Sequence, residues 1–594
     1  MPLHIVYRMD KLICVVRTLL LLLCFICCDI NITANEYASY IYMSRKRTPQ
    51  YLYNEGVGKA EDERYEEALN YFLQAAYEGY MPAQYAAAHY YDNGIGTSRN
   101  YSEALYWYKK AAEQGHVQAQ YKLGDYYKQG LVVNKDLYEA MTWYERAAQQ
   151  GDEVSMIQLG IIYMQGIGIE QNYDKAIEWL KTPAELDNTT AQYNIGICYL
   201  NRKDANHSAE EAVKWFKRAA LGGHRDAQYN LAHCYAIGEG VTQDYVEAKR
   251  WLMAAANQQD ARAECDLGDM YEHGYGVAKD YNEAYRWYER AAKHHNVNAE
   301  YNLGHCYYLG YGVGKNYTKA AEWYHLAAEH GQLEAQYQYG HCVEYGEGVK
   351  QDYTEAVKWY QTAAKRGHKE AQYHYAYCIE HGYGAPQDYK EAAKWYNAAA
   401  KQGHHDAEYN LGHCYYLGHG VSVNYRMAVE WYKKAAQFHQ SAAELGLAIC
   451  YEHGEGVAQD YQMAMEWYKR AAEDGEIDAE YSIGYLYHHG YGVDVDYTKA
   501  VEWYSTAAKH GQAEAAYNMG LLYEHGEGVP QNYVQAVEWY KFAAERDVAG
   551  AEYNLGCCYY IGRGVKQDSV EGDRLLYEAA QHGSKEAIEY LQTH

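Results

Sequence analysis

The feature that most constrains this chain is a repeat of 36 residues. An alanine recurs at steps of 36 from Ala83 to Ala587, and Ser155 is the one substitution in the series. Fourteen units therefore run from 83 to 586 without an insertion or a deletion. A unit this short cannot bury an apolar face alone, so consecutive units must stack on one another. The repeat predicts one continuous array and excludes a set of separately folded domains.

Each unit is expected to fold as two short helices joined by a glycine loop. In unit 299–334, Leu303 and Tyr307 fall at helical spacing on an apolar stripe. The glycines of segment 310–313 end the first helix, because glycine reaches the left-handed conformation that a helix C-terminus favours. Asn316 then caps the second helix. The residues predict an all-α fold.

Tryptophan marks one place in the second helix of thirteen units, as Trp323 does, and the fourteenth unit has Leu575 there. A large ring at a fixed place is typical of a packing role. Each indole is expected to contact the next unit, which leaves the terminal unit free to differ.

Anchors that recur at fixed offsets give the chain its resemblance to a known family. In unit 407–442 they are Ala407, Gly412, Gly418, Gly420, Val421, Tyr425, Ala428, Trp431, Ala435 and Ala436. This pattern resembles the Sel-1-like repeat, a relative of the tetratricopeptide repeat, over 83–586. The resemblance implies a right-handed α/α superhelical solenoid. It also implies that the first helices line a concave surface used for protein partners.

The segments outside the array carry other signals. Residues 1–34 have the charged, apolar and then polar order of a cleavable signal peptide. The apolar run at 19–28 is shorter than the ~20 residues of a membrane span, and the alternatives are an uncleaved anchor or a lipid on Cys24. The chain is expected to be exported, to the periplasm or medium of a bacterium or to the endoplasmic reticulum lumen or beyond in a eukaryote. The further boundaries are a flexible segment at 35–50, a tetratricopeptide-like cap at 51–82 and a C-terminal helix remnant at 587–594.

Two defects fall close together in the array. Pro183 replaces an alanine inside a second helix, where it removes a backbone donor. The next unit lacks its glycine loop, with Arg202 and Asp204 at the glycine positions. We predict a bend or a locally looser stack between about 180 and 208.

The sequence lacks the motifs of the common catalytic sites. No Ser-x-x-Lys, Gly-x-Ser-x-Gly, His-Glu-x-x-His or phosphate-loop pattern occurs. We therefore predict no catalytic, cofactor-binding or metal-binding residues. Some cysteine-rich members of the resembled family are described as β-lactamase-like hydrolases, and this enzymatic function is the alternative.

Cysteine and histidine recur at fixed places without forming a ligand set. Eight of the ten cysteines outside the leader share one place in the first helix. Neighbouring helices lie about 10 Å apart, too far for these thiols to share a zinc ion or a disulfide. They are expected to be free and buried. Four histidines are expected to cap the ends of first helices: His273, His381, His453 and His525.

The family's geometry places the third, seventh and tenth residues of each unit in the concave groove. The third residue is Tyr in eleven of fourteen units, and tyrosine offers contact area with a hydrogen-bonding tip. The alternative is that these tyrosines only pack against the adjoining unit. The candidate partner-binding residues are Tyr301, His305, Tyr308, Tyr337, His341, Glu344, Tyr373, Tyr377, Glu380, Tyr409, His413 and Tyr416.

The net charge of the chain limits the class of partner that it is expected to bind. The difference between 80 acidic and 53 basic residues leaves a net charge of -27, which argues against nucleic-acid binding and favours a neutral or basic protein or peptide. The predicted function is a monomeric, non-enzymatic scaffold. The resemblance implies a bacterial host-interaction factor, such as a secretory immunoglobulin A-binding protein, or an adaptor of degradation in the endoplasmic reticulum. Glycosylation sequons would matter in the second setting, at Asn100, Asn188, Asn206 and Asn316.

Overall fold

The computed structural model describes residues 48–202 and 208–593, and every regular element in these ranges is an α-helix. The first helices are Pro49–Glu61, Met81–Asn93, Val117–Gln129, Glu153–Gln165, Thr189–Asn201, Arg225–Ile237, Ala261–His273, Val297–Leu309, Leu333–Tyr345, Lys369–His381, His405–Leu417, Ser441–His453, Ile477–His489, Ala513–His525, Ala549–Ile561 and Lys585–Thr593. The second helices are Tyr65–Tyr77, Tyr101–Glu113, Leu137–Gln149, Tyr173–Glu185, Ser208–Leu221, Tyr245–Ala256, Tyr281–Lys293, Tyr317–Glu329, Tyr353–Lys365, Tyr389–Ala400, Tyr425–Ala436, Tyr461–Glu473, Tyr497–Lys509, Tyr533–Ala544 and Ser569–Gln581.

The helix ends are set by caps that the sequence specifies. The Asp352 carboxylate accepts hydrogen bonds from the backbone N–H groups of Thr354 (2.9 Å) and Glu355 (3.1 Å) at the start of a second helix. Asn316 caps its helix in the same way through the N–H of Lys319 at 3.0 Å. Most first helices end on a left-handed glycine, such as Gly346 with φ 71°, whereas Asp62 and Arg202 end two of them. The helix boundaries predicted from these residues are confirmed.

The second glycine of each loop lies against the preceding unit. A Cβ atom on Gly348 would overlap the backbone carbonyl of Tyr317, at the start of the preceding second helix. Glycine adopts this positive φ of 75° without strain and leaves room for the close approach, whereas Val132 takes the equivalent place in one other loop with φ 52°. The loop therefore fixes the spacing between consecutive units.

The helices form two compact units, which are described separately. One runs to Leu267 and includes Tyr275–Val277, and the other comprises Gly268–Gly274 and the chain from Ala278. In the second unit the core is built mainly from second-helix tyrosines and small residues. Tyr324 is 1% exposed, and its ring packs on the backbone of Gly304 in the first helix. The small residue lets the two helices approach closely enough to exclude water.

The tryptophans bridge units in the direction opposite to the one predicted. Trp107 contacts Tyr77 of the preceding second helix with ring centroids 4.9 Å apart. Trp359 contacts His325 of the preceding second helix at 5.8 Å. The indole projects from the face of the second helix that meets the preceding pair, so the expected contact with the next unit is corrected. Leu575 fills the equivalent place at 3% exposure.

Pro183 does not disrupt the stack. The helix Tyr173–Glu185 continues through it, and Ala184, Ala191 and Ile195 nearby are fully buried. Because the proline lies in the last turn, it removes only one bond of the helix ladder. The looser stack predicted for 180–208 is therefore wrong for 180–202, and the bend that was its alternative stays a prediction. The position of Asp204 lies outside the described residues.

The terminal segments are described in part. The predicted leader 1–34 lies outside the described residues. The Thr48 hydroxyl caps a helix that begins at Pro49, so the last two residues of the predicted flexible segment 35–50 are helical. Within the described ranges no helix has the length and hydropathy needed to cross a membrane.

The cysteines and the helix-ending histidines have structural roles. The ten cysteines in the described residues are free thiols, and nine of them are buried. Burial raises the pKa of Cys306 to about 12, which keeps its thiol neutral. His273 and His381 donate through Nδ1 to the carbonyl oxygens of Asp269 (3.0 Å) and Tyr377 (2.9 Å). His453 does the same, and His525 occupies the equivalent place at the end of its helix.

Candidate functional site

The residues predicted for partner binding lie on four successive first helices of the second compact unit, from Val297–Leu309 to His405–Leu417. The third and seventh residues of each unit are one helical turn apart, and their rings lie near one another. Ring centroids are 6.2 Å apart for Tyr301 and His305 and 5.9 Å for Tyr409 and His413. We call these third and seventh residues the aromatic surface: Tyr301, His305, Tyr337, His341, Tyr373, Tyr377, Tyr409 and His413.

One side of the aromatic surface is anchored in the stack. The ring of Tyr337 stacks on that of His368, the cap of the next first helix, with centroids 4.8 Å apart. Tyr373 stacks on His404 in the same way at 4.3 Å. The packing against the adjoining unit that the sequence left open therefore occurs. It holds the half-buried rings in one orientation.

The hydroxyl groups of the same tyrosines are not engaged. Within the described residues, no hydrogen-bond partner is recorded for the hydroxyls of four consecutive third-position residues: Tyr301, Tyr337, Tyr373 and Tyr409. Other units differ, because the Tyr193 hydroxyl accepts from Asn230 at 3.4 Å. Desolvation by burial raises the pKa of Tyr337, so its phenol is neutral at pH 7 and can both donate and accept.

The tenth residues serve the fold more than an open surface. Glu344 is only 5% exposed. It accepts a hydrogen bond from the buried Tyr360 hydroxyl at 2.5 Å and lies 3.3 Å from Nδ1 of His374. Glu380 accepts from the Tyr396 hydroxyl at 2.6 Å. The expectation that these acids face a ligand does not fit Glu344, because its carboxylate satisfies a core phenol.

The remaining tenth residues are tyrosines with varied surroundings. Tyr308 donates to Glu347 at 3.0 Å, and this carboxylate also lies 3.4 Å from Nδ1 of His341. The ring of Tyr416 packs edge-on against that of Tyr425 at 5.3 Å. These residues border the aromatic surface without extending its row of free hydroxyls.

His341 and His413 of the aromatic surface are poor bases. Burial lowers the pKa of His341 and of His413, and in each case this desolvation is the largest cause. Neutral imidazole and neutral phenol together offer apolar ring area with hydrogen-bonding edges. What this arrangement can do chemically is bind a ligand through ring contacts and hydrogen bonds.

The histidines that support the aromatic surface were not among the residues predicted from the sequence. His368 accepts a hydrogen bond at Nδ1 from the N–H of Ala371 (3.1 Å) and donates from Nε2 to Glu334 (2.9 Å). A signal was available, because histidine recurs at this place in the repeat as His116, His224, His368 and His404. Two clusters that could hold a metal ion lie elsewhere: His439, Glu444 and Asp474, and Asp547, Glu552 and His582.

Comparison with known proteins agrees with this architecture. The chain is similar to a protective antigen of uropathogenic Escherichia coli that displays an SLR fold, with 31% identity over 82% of this chain and 94% of that one and a TM-score of 0.56. It is also similar to a Sel1 repeat protein from Oxalobacter formigenes, with 33% identity over 41% of this chain and 96% of that one and a TM-score of 0.36. The comparison with curated proteins finds no match.

The family model of the Sel1 repeat matches fifteen consecutive segments of the chain. The matches begin with 38–80 and 82–116 and continue to 549–584. They include the helix pair Pro49–Glu61 and Tyr65–Tyr77 that precedes the 36-residue array. With helix pairs, caps and glycine loops recurring along the described residues, the chain belongs to the Sel1 repeat family.

Proposed function

We propose that this protein is an exported, non-enzymatic scaffold that binds an extended peptide segment of a protein partner along the aromatic surface. The observation that carries the proposal is a row of four tyrosines: each ring packs against a second-helix tyrosine, and the hydroxyls have no partner among the described residues. Rings fixed before binding lose little side-chain entropy when a ligand arrives. A peptide backbone supplies both donors and acceptors for the phenol groups.

The partner's charge follows from that of the chain. A net charge of -27 attracts basic segments and repels acidic ones, so basic or neutral partners are favoured. The similarity to a protective antigen of a pathogenic bacterium supports a role at the surface between bacterium and host. Export rests on the leader-like residues 1–34, and the scaffold is expected to act as a monomer.

A displayed library of random linear peptides tests the proposal. We expect peptides selected on the intact chain to be neutral or basic, and to bind the triple variant Tyr301→Phe/Tyr337→Phe/Tyr409→Phe at least about tenfold more weakly. Removing three hydroxyls costs roughly 1 kcal/mol for each hydrogen bond lost. The rings stay, so the packing on neighbouring units is kept.

The matched control removes three hydroxyls that are already engaged. Tyr193 pairs with Asn230, and Tyr481 and Tyr517 are hydrogen-bonded to Asn518 and Asn554. The variant with phenylalanine at these three tyrosines should bind the selected peptides as the parent does. Equal loss in both variants, or equal binding by both, would show that the aromatic surface is not the binding site.

A further inference from the structure

In most units the second residue is a glutamine or glutamate whose side chain makes a polar contact that links consecutive helices. Where it is glutamine, as in Gln372, the side-chain amide donates to a backbone carbonyl eight residues earlier, that of Ala364 (3.1 Å), and accepts from the residue thirty positions later, Gln402 (2.8 Å). The equivalent bonds at Gln120 show the same two partners. The buried side chain is thereby satisfied on both sides.

Where the second residue is glutamate, the residue thirty positions later is histidine in four of six units. His330 donates through Nδ1 to Glu300 at 2.8 Å, and His510 does so to Glu480 at 2.8 Å. Glu408 accepts from the nearby His405 at 3.1 Å. An imidazole N–H compensates the charge that burial would otherwise penalise.

Glu444 departs from this rule. It is 1% exposed, and neither carboxylate oxygen has a hydrogen-bond partner. The residue thirty positions later is Asp474, an acid that no other unit has at this place. A buried carboxylate facing another carboxylate costs free energy unless a proton or a cation lies between them.

An imidazole completes the cluster. A ring nitrogen of His439 and carboxylate oxygens of Glu444 and Asp474 all lie within 4.8 Å of one another. His439 and Asp474 are exposed, so their side chains can adjust to the about 3.3 Å that separates the ligands of a tetrahedral site. The other charged groups that act on Glu444 are Arg470 and Glu473, of opposite sign.

We propose that His439, Glu444 and Asp474 bind one divalent transition-metal ion of the zinc class, with water completing the coordination. One imidazole nitrogen and two carboxylate oxygens are a ligand set that Zn²⁺ accepts. The ion gives the unpartnered oxygens of Glu444 a ligand role and neutralises the two facing acids. The site is independent of the proposed peptide-binding surface.

A second cluster has the same residue types, but its histidine and glutamate are hydrogen-bonded to each other. Asp547, Glu552 and His582 occupy the equivalent places of another unit, with histidine and aspartate exchanged. There the His582 imidazole donates to Glu552 at 2.9 Å, as in the other glutamate units. Of these two clusters in the described part of the chain, the one around Glu444 is therefore the one whose buried carboxylate has no hydrogen-bond partner.

Zinc titration of the full chain by calorimetry, with parallel thermal unfolding, tests the site. The Glu444→Gln variant removes a ligand and installs the residue that six other units have at this place, so it should fold. We expect it to bind one Zn²⁺ fewer per chain and to lose the zinc-dependent rise in Tm. Glu480→Gln makes the same chemical change in the next unit. It should keep both the zinc stoichiometry and the zinc-dependent rise in Tm of the parent chain.

A second variant separates metal binding from stability. His439 has a positive φ of 58°, and Gly403 and Gly475 occupy the equivalent position in other units. His439→Gly should therefore raise the metal-free Tm while abolishing the zinc-dependent increment, an opposite pair of effects that loss of folding cannot produce.

The ligand types are checked with Co²⁺. Binding at these oxygens and a nitrogen gives a visible spectrum without a thiolate charge-transfer band, whereas binding to the chain's free cysteines gives that band. Unchanged zinc stoichiometry in Glu444→Gln, a thiolate band, or absence of zinc binding by the parent chain would each overturn the proposal. The last result would indicate that a proton neutralises Glu444 instead.

Discussion

Glycines in the repeat have two different structural roles. Gly348 and Gly367 both have positive φ, at 75° and 94°. A Cβ on Gly348 would overlap the backbone of Tyr317, whereas nothing lies within 4 Å of a Cβ on Gly367. Both glycines supply a conformation that other residues adopt at a cost, but only Gly348 also makes room for a neighbouring helix.

This difference predicts unequal effects of one substitution. Gly367→Ala should lower the free energy of unfolding by about 1 kcal/mol, the cost of a left-handed alanine. Gly348→Ala should lower it by roughly 3 kcal/mol or more, because the loop must also move away from the preceding unit. Chemical denaturation followed by circular dichroism measures both. Equal losses would mean that the loop does not fix the spacing between units.

For single residues, the sequence showed which residue types recur but not which side chains they contact. The recurring tyrosines and histidines could be read directly, and they identified the aromatic surface. Whether a given hydroxyl is free depends on the distance to a side chain in the next unit, as for Tyr193 and Asn230. Periodicity within a unit does not contain that distance. The burial of Glu344 against Tyr360 was missed for the same reason.

The first helices carry caps that respond to pH. His404 is buried, and its Nδ1 accepts from the N–H of Ala407 at 3.3 Å, which requires the neutral ring. Its Nε2 lies 2.9 Å from Glu370. Desolvation outweighs the attraction of Glu370 and Asp406, so the pKa of His404 lies below its ordinary value of 6.5. Protonation would remove the acceptor that caps the helix.

The sign of the pH dependence follows from that lowered pKa. Below about pH 6.5 the unfolded chain takes up a proton at this position more readily than the folded chain. The free energy of unfolding therefore decreases as the pH is lowered, until the pKa of the folded state is passed. The variant His404→Gln keeps a cap, since Gln332 and Gln512 cap equivalent helices. We expect its Tm to fall less between pH 7 and pH 5 than that of the parent. A steeper fall would contradict this assignment.

Helix boundaries were the part of the fold that could be predicted best. Asn, Asp and Gly at fixed offsets define the ends of each helix through local hydrogen bonds, which sequence spacing specifies. The direction of the tryptophan contacts was wrong because the pattern shows which face of a helix is apolar, not which neighbour covers it. The effect of Pro183 on the stack was overestimated. The proline lies in the last turn of its helix, which loses one backbone hydrogen bond.

The whole molecule has a large excess of negative charge, and its ion pairs do little to offset it. The bridges lie mostly at exposed side chains, such as Arg286 with Glu283 and Lys394 with Glu391. Pairs of this kind contribute about 0–1 kcal/mol each. Self-repulsion from a net charge of -27 acts over the whole folded chain and is screened by salt.

Added salt is therefore expected to stabilise the protein. Raising NaCl from low to physiological concentration should increase Tm, because screening weakens like-charge repulsion more than it weakens the exposed pairs. Differential scanning calorimetry at constant pH measures the shift, and matched concentrations of sucrose control for osmolality. A decrease in Tm would mean that attractive pairs dominate the electrostatic free energy of the fold.

The polar link made by the second residue of most units has a consequence for how such a chain can change length. Its side-chain partner, thirty positions later, belongs to the same unit, and its other partner is a backbone carbonyl of the unit before. A backbone carbonyl is present whatever the preceding sequence. Duplicating or deleting one block of 36 residues thus carries each matched pair along intact, and gene rearrangement in whole blocks leaves every such junction chemically complete.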